Sequence, residues 1–366
     1  MPVYRDPPDG LTVSVDLLRG WTVRLIEAIG TPSDIAADVA QVLVAADRRG
    51  IASHGTARLP NYVALAEAGV LDPAGRPVRD GGRPALVRFD AANGWGHHAG
   101  RVAVDWAIDA AETLGTATAV VRNSNHFGIA GWYALRAASR GFIGIALSNT
   151  SPLVAPTRSR SPLIGTNPIA IAAPAGRFGT FCLDMATSTV PRGRIEVAAR
   201  RGEALPVGWA IDAEGRAART PEAALAGALH PLGGEEATAG YKGYGLSLAV
   251  DLLTAVLGGA TFGPNVIGLF STAGPSDLGQ AYTVLDPAAV DAPGEFERRL
   301  EAYCQQLIEA PTVPDAPGRV LIPGEPEAEA ERRADDHGVV IDAIHAQSLV
   351  DLGKRLGLPF PAAVPG

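Results

Sequence analysis

The chain has 366 residues, 47% hydrophobic and 19% charged, which is enough apolar material for a full core in one large unit or two to three modest ones. A formal net charge of −8 without a basic block argues against nucleic acid as a partner. No apolar run approaches the roughly 18–20 residues that a membrane span requires, so no membrane is expected either.

The opening residues carry no basic-then-apolar leader pattern. Residues 14–30 and 31–50 read as two helices. Pro32 and Ser33 suit the start of the second, Ile35, Val39, Val42, Leu43 and Ala46 make one apolar face, and Gly50 ends it. "RRGIASHGTARLPNY" (48–62) follows, with Ser53 and His54 on a turn flanked by glycines. His54, Arg58 and Tyr62 are spaced by four and share a face if the segment continues as helix. An imidazole, a guanidinium and a phenol on one side can hold a small carboxylate and exchange a proton beside it. An ordinary surface helix accounts for the same spacing.

Residues 71–90 are loop leading into a strand. "GWGHHAG" (94–100) contains G-x-G-x-x-A, but polar "RFDAAN" stands where a dinucleotide fingerprint needs an apolar strand. It reads as a helix-start turn. His97 and His98 are adjacent and point apart on a helix, and no pair of histidines has metal-ligand spacing, so no metal is expected. A helix (101–115), a buried strand (116–121), a helix (131–141) and a strand (142–149) then alternate, the pattern of an α/β sheet. Within this run "NSNHFGIAGWY" puts His126 at the carboxyl end of a strand, the edge where open α/β sheets bind ligands. Asn123, Ser124 and Asn125 can orient it, although a capping or turn role suits it equally.

"PIAIAAPAG" and "GTFCLDMAT" are strands. Thr166 and Asn167 lie between apolar runs, and Asp184 closes a strand before Thr187, Ser188 and Thr189. Such groups suit ribose or phosphate oxygens, while helix capping explains Asp184 and Thr187 as well. Residues 243–259 form the most apolar helix, expected to be buried on most sides, with Lys242 and Gly243 just before it where amides and dipole favour an anion. Helices at 294–310 and 325–338 complete the chain, the latter charged all round and expected to be a solvated surface helix. Cys182 and Cys304 are far apart without ligand spacing, which points to a reducing, cytoplasmic compartment.

Six ordered motifs, "ADRRGIASHGTARLPNY", "NSNHFGIAGWY", "IGTNPIAIAAP", "LDMATSTVPRGRIEVAARRGEALPVGWAIDAEG", "YKGYGLSLAVDLLTAVLGGATFG" and "GRVLIPGEPE", span nearly the whole chain. Together they resemble the malate/L-lactate dehydrogenases of the second type, which lack a Rossmann domain. Ureidoglycolate, sulfolactate and diketogulonate oxidoreductases and cyclic imino acid reductases are their relatives. The resemblance implies an α/β fold, with a non-Rossmann, mixed-sheet cofactor domain at 76–290 and a helical domain from both chain ends, 1–75 and 291–366. It implies a homodimer with sites near the interface, NAD or NADP as cofactor, and a small 2-hydroxy or 2-keto acid as substrate. Cyclic imino acid reduction is the alternative.

Residue by residue, the resemblance makes His126 the general acid/base of hydroxy acid chemistry and His54 with Ser53 the proton-donating pair of imine reduction. It makes Arg58 the carboxylate anchor, with Tyr62 lining the same pocket. Ser148, Asn149, Thr166, Asn167, Asp184, Met185, Ala186, Thr187, Lys242, Gly243 and Arg319 fall on its cofactor-contacting stretches. One departure is "VPRGR", with Pro191, Arg192 and Arg194, where the family carries Ala and then Gly-Lys. Arg194 stands where imino acid reductases tend to be acidic, which weighs against imine reduction, and the arginines suit a 2′-phosphate.

Overall fold

The structure, a computed structural model, describes residues 10–361; residues 1–9, where the leader pattern was sought, lie outside the described residues. Strand β1 (Leu11–Val13) leads into α1 (Val15–Glu27) and α2 (Ser33–Arg48). The Ser14 hydroxyl caps α1 by accepting from Leu17 N–H at 3.2 Å. Leu18, Trp21, Leu25 and Ile26 of α1 meet Ile35, Val39 and Leu43 of α2 in a fully buried stripe of helical period. Helix α3 (Leu59–Glu67) adds Leu59, Tyr62 and Val63 to this core.

The central layer opens with β2 (Val78–Arg83) and β3 (Leu86–Asp90). Helix α4 (Gly96–Leu114), β4 (Thr116–Ser124), α5 (Ala130–Ala138), β5 (Ile143–Ser148), β6 (Ile169–Pro174) and β7 (Thr180–Met185) follow. A small lobe holds α6 (Arg192–Arg201), β8 (Ala210–Ile211), α7 (Pro221–Ala226) and β9 (Ala228–Leu229) around Val154, Ile164, Val190, Ile195 and Leu205. Then come α8 (Gly240–Asp251), β10 (Leu278–Leu285), α9 (Glu295–Ile308), α10 (Glu325–His337), β11 (Val339–Ile341) and α11 (Ala343–Arg355).

Seven strands form one mixed sheet in the order β2-β3-β4-β10-β5-β6-β7. Only β3 and β4 run parallel among its pairings. Alternation along β4 sends Ala117, Ala119 and Val121 to one face and Val120 to the other. The first face is covered by α4 and α5, whose Ala99, Ala103, Ala107, Ala111, Ala130, Ala134 and Ala137 let the helices sit close to the strands. The "GWGHHAG" segment does start α4, and its glycine has a steric reason: a Cβ on Gly96 would lie 1.9 Å from the Asn125 carbonyl oxygen.

Both chain ends build the helical unit. Strand β1 pairs antiparallel with β11, Val13 opposite Val339, and Leu349 and Leu352 of α11 complete the core of α1–α3. Trp21 Nε1 donates to the Leu358 carbonyl at 3.0 Å.

Two expectations are corrected. Helix α8 and the π-helical turn that continues it (Leu252–Val256) are not buried on most sides. Ser247, Val250, Asp251, Thr254 and Ala255 face the sheet, while Leu246, Leu248, Leu252, Leu253, Val256 and Leu257 are all exposed by more than 40%. The apolar count is right but the leucines face outward: inside, Val250 packs on Val120, Leu147 and Ala281, while Ser247 and Asp251 bond to the loop before β6. Helix α10 is not a purely solvated helix: Ala330 and Ala334 are buried, and Glu331 and Asp335 pair with Arg48 of α2 and Arg49 just after it at 2.6–3.2 Å.

Candidate active site

The turn after α2 is not a continuous helix. Two 3-10 turns, Ala52–His54 and Thr56–Arg58, precede α3. Buried Asp47 fastens them by accepting from Thr56 N–H at 2.9 Å and Thr56 Oγ1 at 2.7 Å. Burial pushes the Asp47 carboxyl up to about 7. His54 and Arg58 therefore come together through loop geometry rather than helical spacing.

Ser53, His54, Arg58, His126 and Thr166 line one cavity of about 150 Å³, with Thr150, Ser151, Pro191, Arg192, Gly193 and Glu196 on its other walls. The imidazoles of His54 and His126 stack at 5.6 Å between centroids. Ser53 Oγ lies 2.8 Å from His54 Nδ1. Arg58 Nε donates to the Ser53 carbonyl at 2.6 Å, and its guanidinium stands over the Phe270 ring at 5.0 Å. Among the described residues Arg58 has no acidic partner in a salt bridge, so both terminal nitrogens remain for an incoming anion. Ile267, Gly268, Leu269 and Phe270 form an apolar wall of the cavity.

Tyr62 stands behind this wall, fully buried, with its hydroxyl 2.6 Å from His126 Nδ1 and 3.3 Å from His97 Nε2. His97 and His98 do point apart: His97 faces Tyr62, while His98 Nδ1 lies 2.6 Å from Asp38. Burial, with the charge of Arg58, lowers His54 to about 4, and burial alone lowers His97 to about 3. Burial together with His54, His97 and Arg58 holds His126 well below its ordinary value.

The remaining sequence-predicted residues divide by place. Ser148 Oγ donates to the carbonyls of Asn149 and Gly279 at 2.9 and 3.1 Å. Asn149 joins Thr261 and Gly279, and Asn167 accepts from Thr150 N–H while donating to Ser247 O and Asp251. Thr187 Oγ1 donates to the carbonyls of Thr166 and Asn167 at 3.1 Å. These four side chains brace the loops around the cavity and do not line it. Asp184, at the end of β7 with Met185 and just before Ala186, accepts from Gly131 N–H at 2.8 Å and so caps the first turn of α5.

Lys242 and Gly243 lie within the first turn of α8 rather than before it, Lys242 exposed and Gly243 packed on the Leu232 backbone. Arg319 pairs with Glu325 and donates to the Val320 carbonyl, and it does not line the cavity. Arg194 stacks on Trp209 at 5.5 Å. Thr150, Ser151, Glu196 and Phe270 escaped sequence reasoning, because single hydroxyls and loop aromatics carry no local pattern. No metal-binding cluster exists among the described residues.

Comparison with known proteins matches residues 13–350 to the family described as malate/L-lactate dehydrogenase. A malate dehydrogenase of Pyrococcus horikoshii is 38% identical over 352 residues, 95% of this chain and 96% of that one. A Δ1-pyrroline-2-carboxylate/Δ1-piperideine-2-carboxylate reductase of Pseudomonas syringae pv. tomato is 33% identical over 92% of this chain and 94% of its own length. The crystal structure of malate dehydrogenase from Entamoeba histolytica superposes with a TM-score of 0.92 at 30% identity, covering 96% of this chain and 99% of that chain.

Proposed function

We infer, from the premise that the chain belongs to the malate/L-lactate dehydrogenase family, that it is an oxidoreductase passing hydride between NAD or NADP and a small 2-hydroxy or 2-keto acid. One observation carries the reading at this site: a guanidinium with both terminal nitrogens available and an imidazole, distant in the chain, line a single cavity sized for a small acid.

Arg58 is the carboxylate anchor. Its Nε is fixed on Ser53 and its plane on Phe270, so little side-chain freedom is lost when the fork takes a carboxylate. His126 is the acid/base: in reduction its imidazolium form, reached by taking up one proton from solvent, gives that proton to the substrate oxygen and returns to the neutral ring, and in oxidation the neutral ring receives the hydroxyl proton. The loop at Ile267 to Phe270 gives the same space an apolar wall.

The donor groups present fit the dinucleotide. Thr150, Ser151 and Thr166 place hydroxyls beside His126, and Lys242 has no salt-bridge partner among the described residues in a helix first turn, where amides and dipole favour phosphate. When bound, the nicotinamide supplies or accepts the hydride. The side chains of Ser148, Asn149, Asn167 and Thr187 act on it through the loops they hold.

The assay is a substrate panel of malate, lactate, sulfolactate, ureidoglycolate and cyclic imines with both cofactors, run on the full chain and on His126→Ala. Turnover of the hydroxy acids should fall by about 10²–10⁴ in the variant with dinucleotide affinity retained. Undiminished turnover removes His126 from the role. Activity confined to the imines would transfer it to the Ser53–His54 pair, whose 2.8 Å contact lies in the same cavity.

The working assembly proposed is a homodimer in which a second copy covers the outer face of α8. Leucines outside and hydrogen-bonding groups inside support this, since exposed apolar patches of that extent mark interaction sites. A cytoplasmic location is supported by Cys182 and Cys304, both free and buried. No helix among the described residues is long and apolar enough to cross a membrane.

A further inference from the structure

Two arginines line the substrate cavity, and they reach it from separate parts of the chain. Arg58 comes from the turn before α3, Arg192 from the first turn of α6. The two elements meet at Ser53. A Cβ on Gly193 would lie 3.9 Å from the Ser53 Cβ, and the Ser53 carbonyl accepts from Arg58 Nε.

Arg192 is held in the same manner as Arg58. Its Nε donates to Glu196 Oε1 at 3.1 Å, one turn along α6, and its two terminal nitrogens have no hydrogen-bond partner among the described residues. Glu196 lines the cavity too, so the guanidinium is steadied at the cavity wall with its fork unoccupied. Arg194, on the same turn, goes elsewhere: it stacks on Trp209 and does not line the cavity.

The helix itself has no use for an arginine here. Pro191 caps α6 without a side-chain hydrogen bond, the first turn holds no acidic residue, and a cation at this end opposes the helix dipole. The pair with Glu196 runs in the less favourable order, cation before anion. Both side chains are partly exposed, so the pair adds little to stability. A positive fork kept against these local preferences points to an anion. The 2′-phosphate expected for these arginines belongs to the adenosine ribose, at the opposite end of a dinucleotide from the ring that exchanges hydride. Arg192 shares its cavity with His126 and Arg58, at the hydride end.

We propose that Arg192 is the specificity-determining residue of the site and takes a second acid group on the substrate, so that the substrates are 2-keto and 2-hydroxy acids ending in a carboxylate or sulfonate. This rests on the reading of the cavity as the substrate site. Arg58 holds the acid group beside the reacting carbon, and Arg192 holds the one at the far end. Glu196 fixes the Arg192 plane and, by its own charge, confines the incoming acid group to the terminal nitrogens.

The test compares kcat/KM for oxaloacetate, sulfopyruvate and pyruvate, which end in a carboxylate, a sulfonate and a methyl group. Wild type should favour at least one diacid over pyruvate by about tenfold or more, and the better diacid names the acid group. Arg192→Met should lower that ratio by about 10- to 100-fold, mainly through KM. Arg192→Gln, which keeps a donor for Glu196, should show the same drop and serves if Arg192→Met does not fold. Glu196→Gln, which keeps the acceptor and removes the opposing charge, should leave diacid affinity equal or higher. Calorimetric titration of the full chain with succinate and butyrate, which lack an oxygen on C2 and cannot react, should repeat the pattern: succinate binding falls in the Arg192 variants and butyrate binding does not follow. Equal use of pyruvate and the diacids by wild type, or a ratio unmoved by either Arg192 variant, overturns the proposal. So does a loss in Glu196→Gln as large as in Arg192→Met, which makes the pair structural, or a loss confined to NADP binding, which returns Arg192 to the 2′-phosphate. Failure of the acid/base reading is separate, since it is decided by turnover in His126→Ala and leaves the succinate titration untouched.

Discussion

His97 is a titratable ring in a place that water does not reach, and its effect is on stability. Its folded value, near 3, lies below the ordinary 6.5. Between those values the unfolded chain binds a proton that the folded chain refuses, so stability falls as pH drops from about 6.5 toward 3. Asp47 has the opposite sign. Its folded value near 7 exceeds the ordinary 3.8, so its contribution is lost as pH rises through that interval. The two slopes oppose each other, and removing one exposes the other. For His97→Gln, urea denaturation should show a shallower acid loss, smaller than wild type by roughly 2 kcal/mol between pH 8 and pH 5. Parallel curves would mean that His97 is not held neutral. Nothing in the sequence around His97 announced this: an adjacent pair of histidines reads as a helix start, and its partners come from α3 and the loop after β4.

Elements near the site are tied by side chains that a sequence reading takes for ligand contacts. Asn167 is the clearest case, with a φ of +30° and bonds to Thr150, Ser247 and Asp251 that join the loop before β6 to α8. Burial already raises the Asp251 carboxyl. Asn167→Ala would leave Asn149 as the remaining side-chain donor to that carboxyl and should cost about 1–2 kcal/mol by denaturant titration, even before any cofactor is added. A variant as stable as wild type would return Asn167 to a purely ligand-facing role. The strands were legible because their alternation is a local property, and the ends of β4 to β7 fall close to where the residue pattern puts them. The nearness of His54 and Arg58 was legible too, but for the wrong reason. Spacing by four suggested one helix face, whereas Asp47 and two 3-10 turns bring them together. Order in the chain carries the motif; only tertiary contacts carry its geometry.

For the whole molecule, the reversed face of α8 is the feature with the largest consequence for assembly. An apolar run reads as interior, and a sequence holds no mark that separates the interior of one chain from that of a pair. If a second copy covers this face, Leu252→Lys with Val256→Lys should convert a two-chain species into single chains in sedimentation velocity. Wild-type protein that sediments as a single chain at micromolar concentration removes the dimer. The mixed sheet with one parallel pair, and the absence of a glycine fingerprint after an apolar strand, belong to the same scale: the dinucleotide is met without the Rossmann crossover.

The pairing of β1 with β11 has its own outcome during synthesis. Trp21, Leu25 and Ile26 leave the ribosome long before Val339, Leu349 and Leu352, which cover the same core. The early helices must wait with an open greasy side while the sheet forms behind them, and only the closing strand zips them shut. Closure of this core therefore waits on translation of β11 and α11.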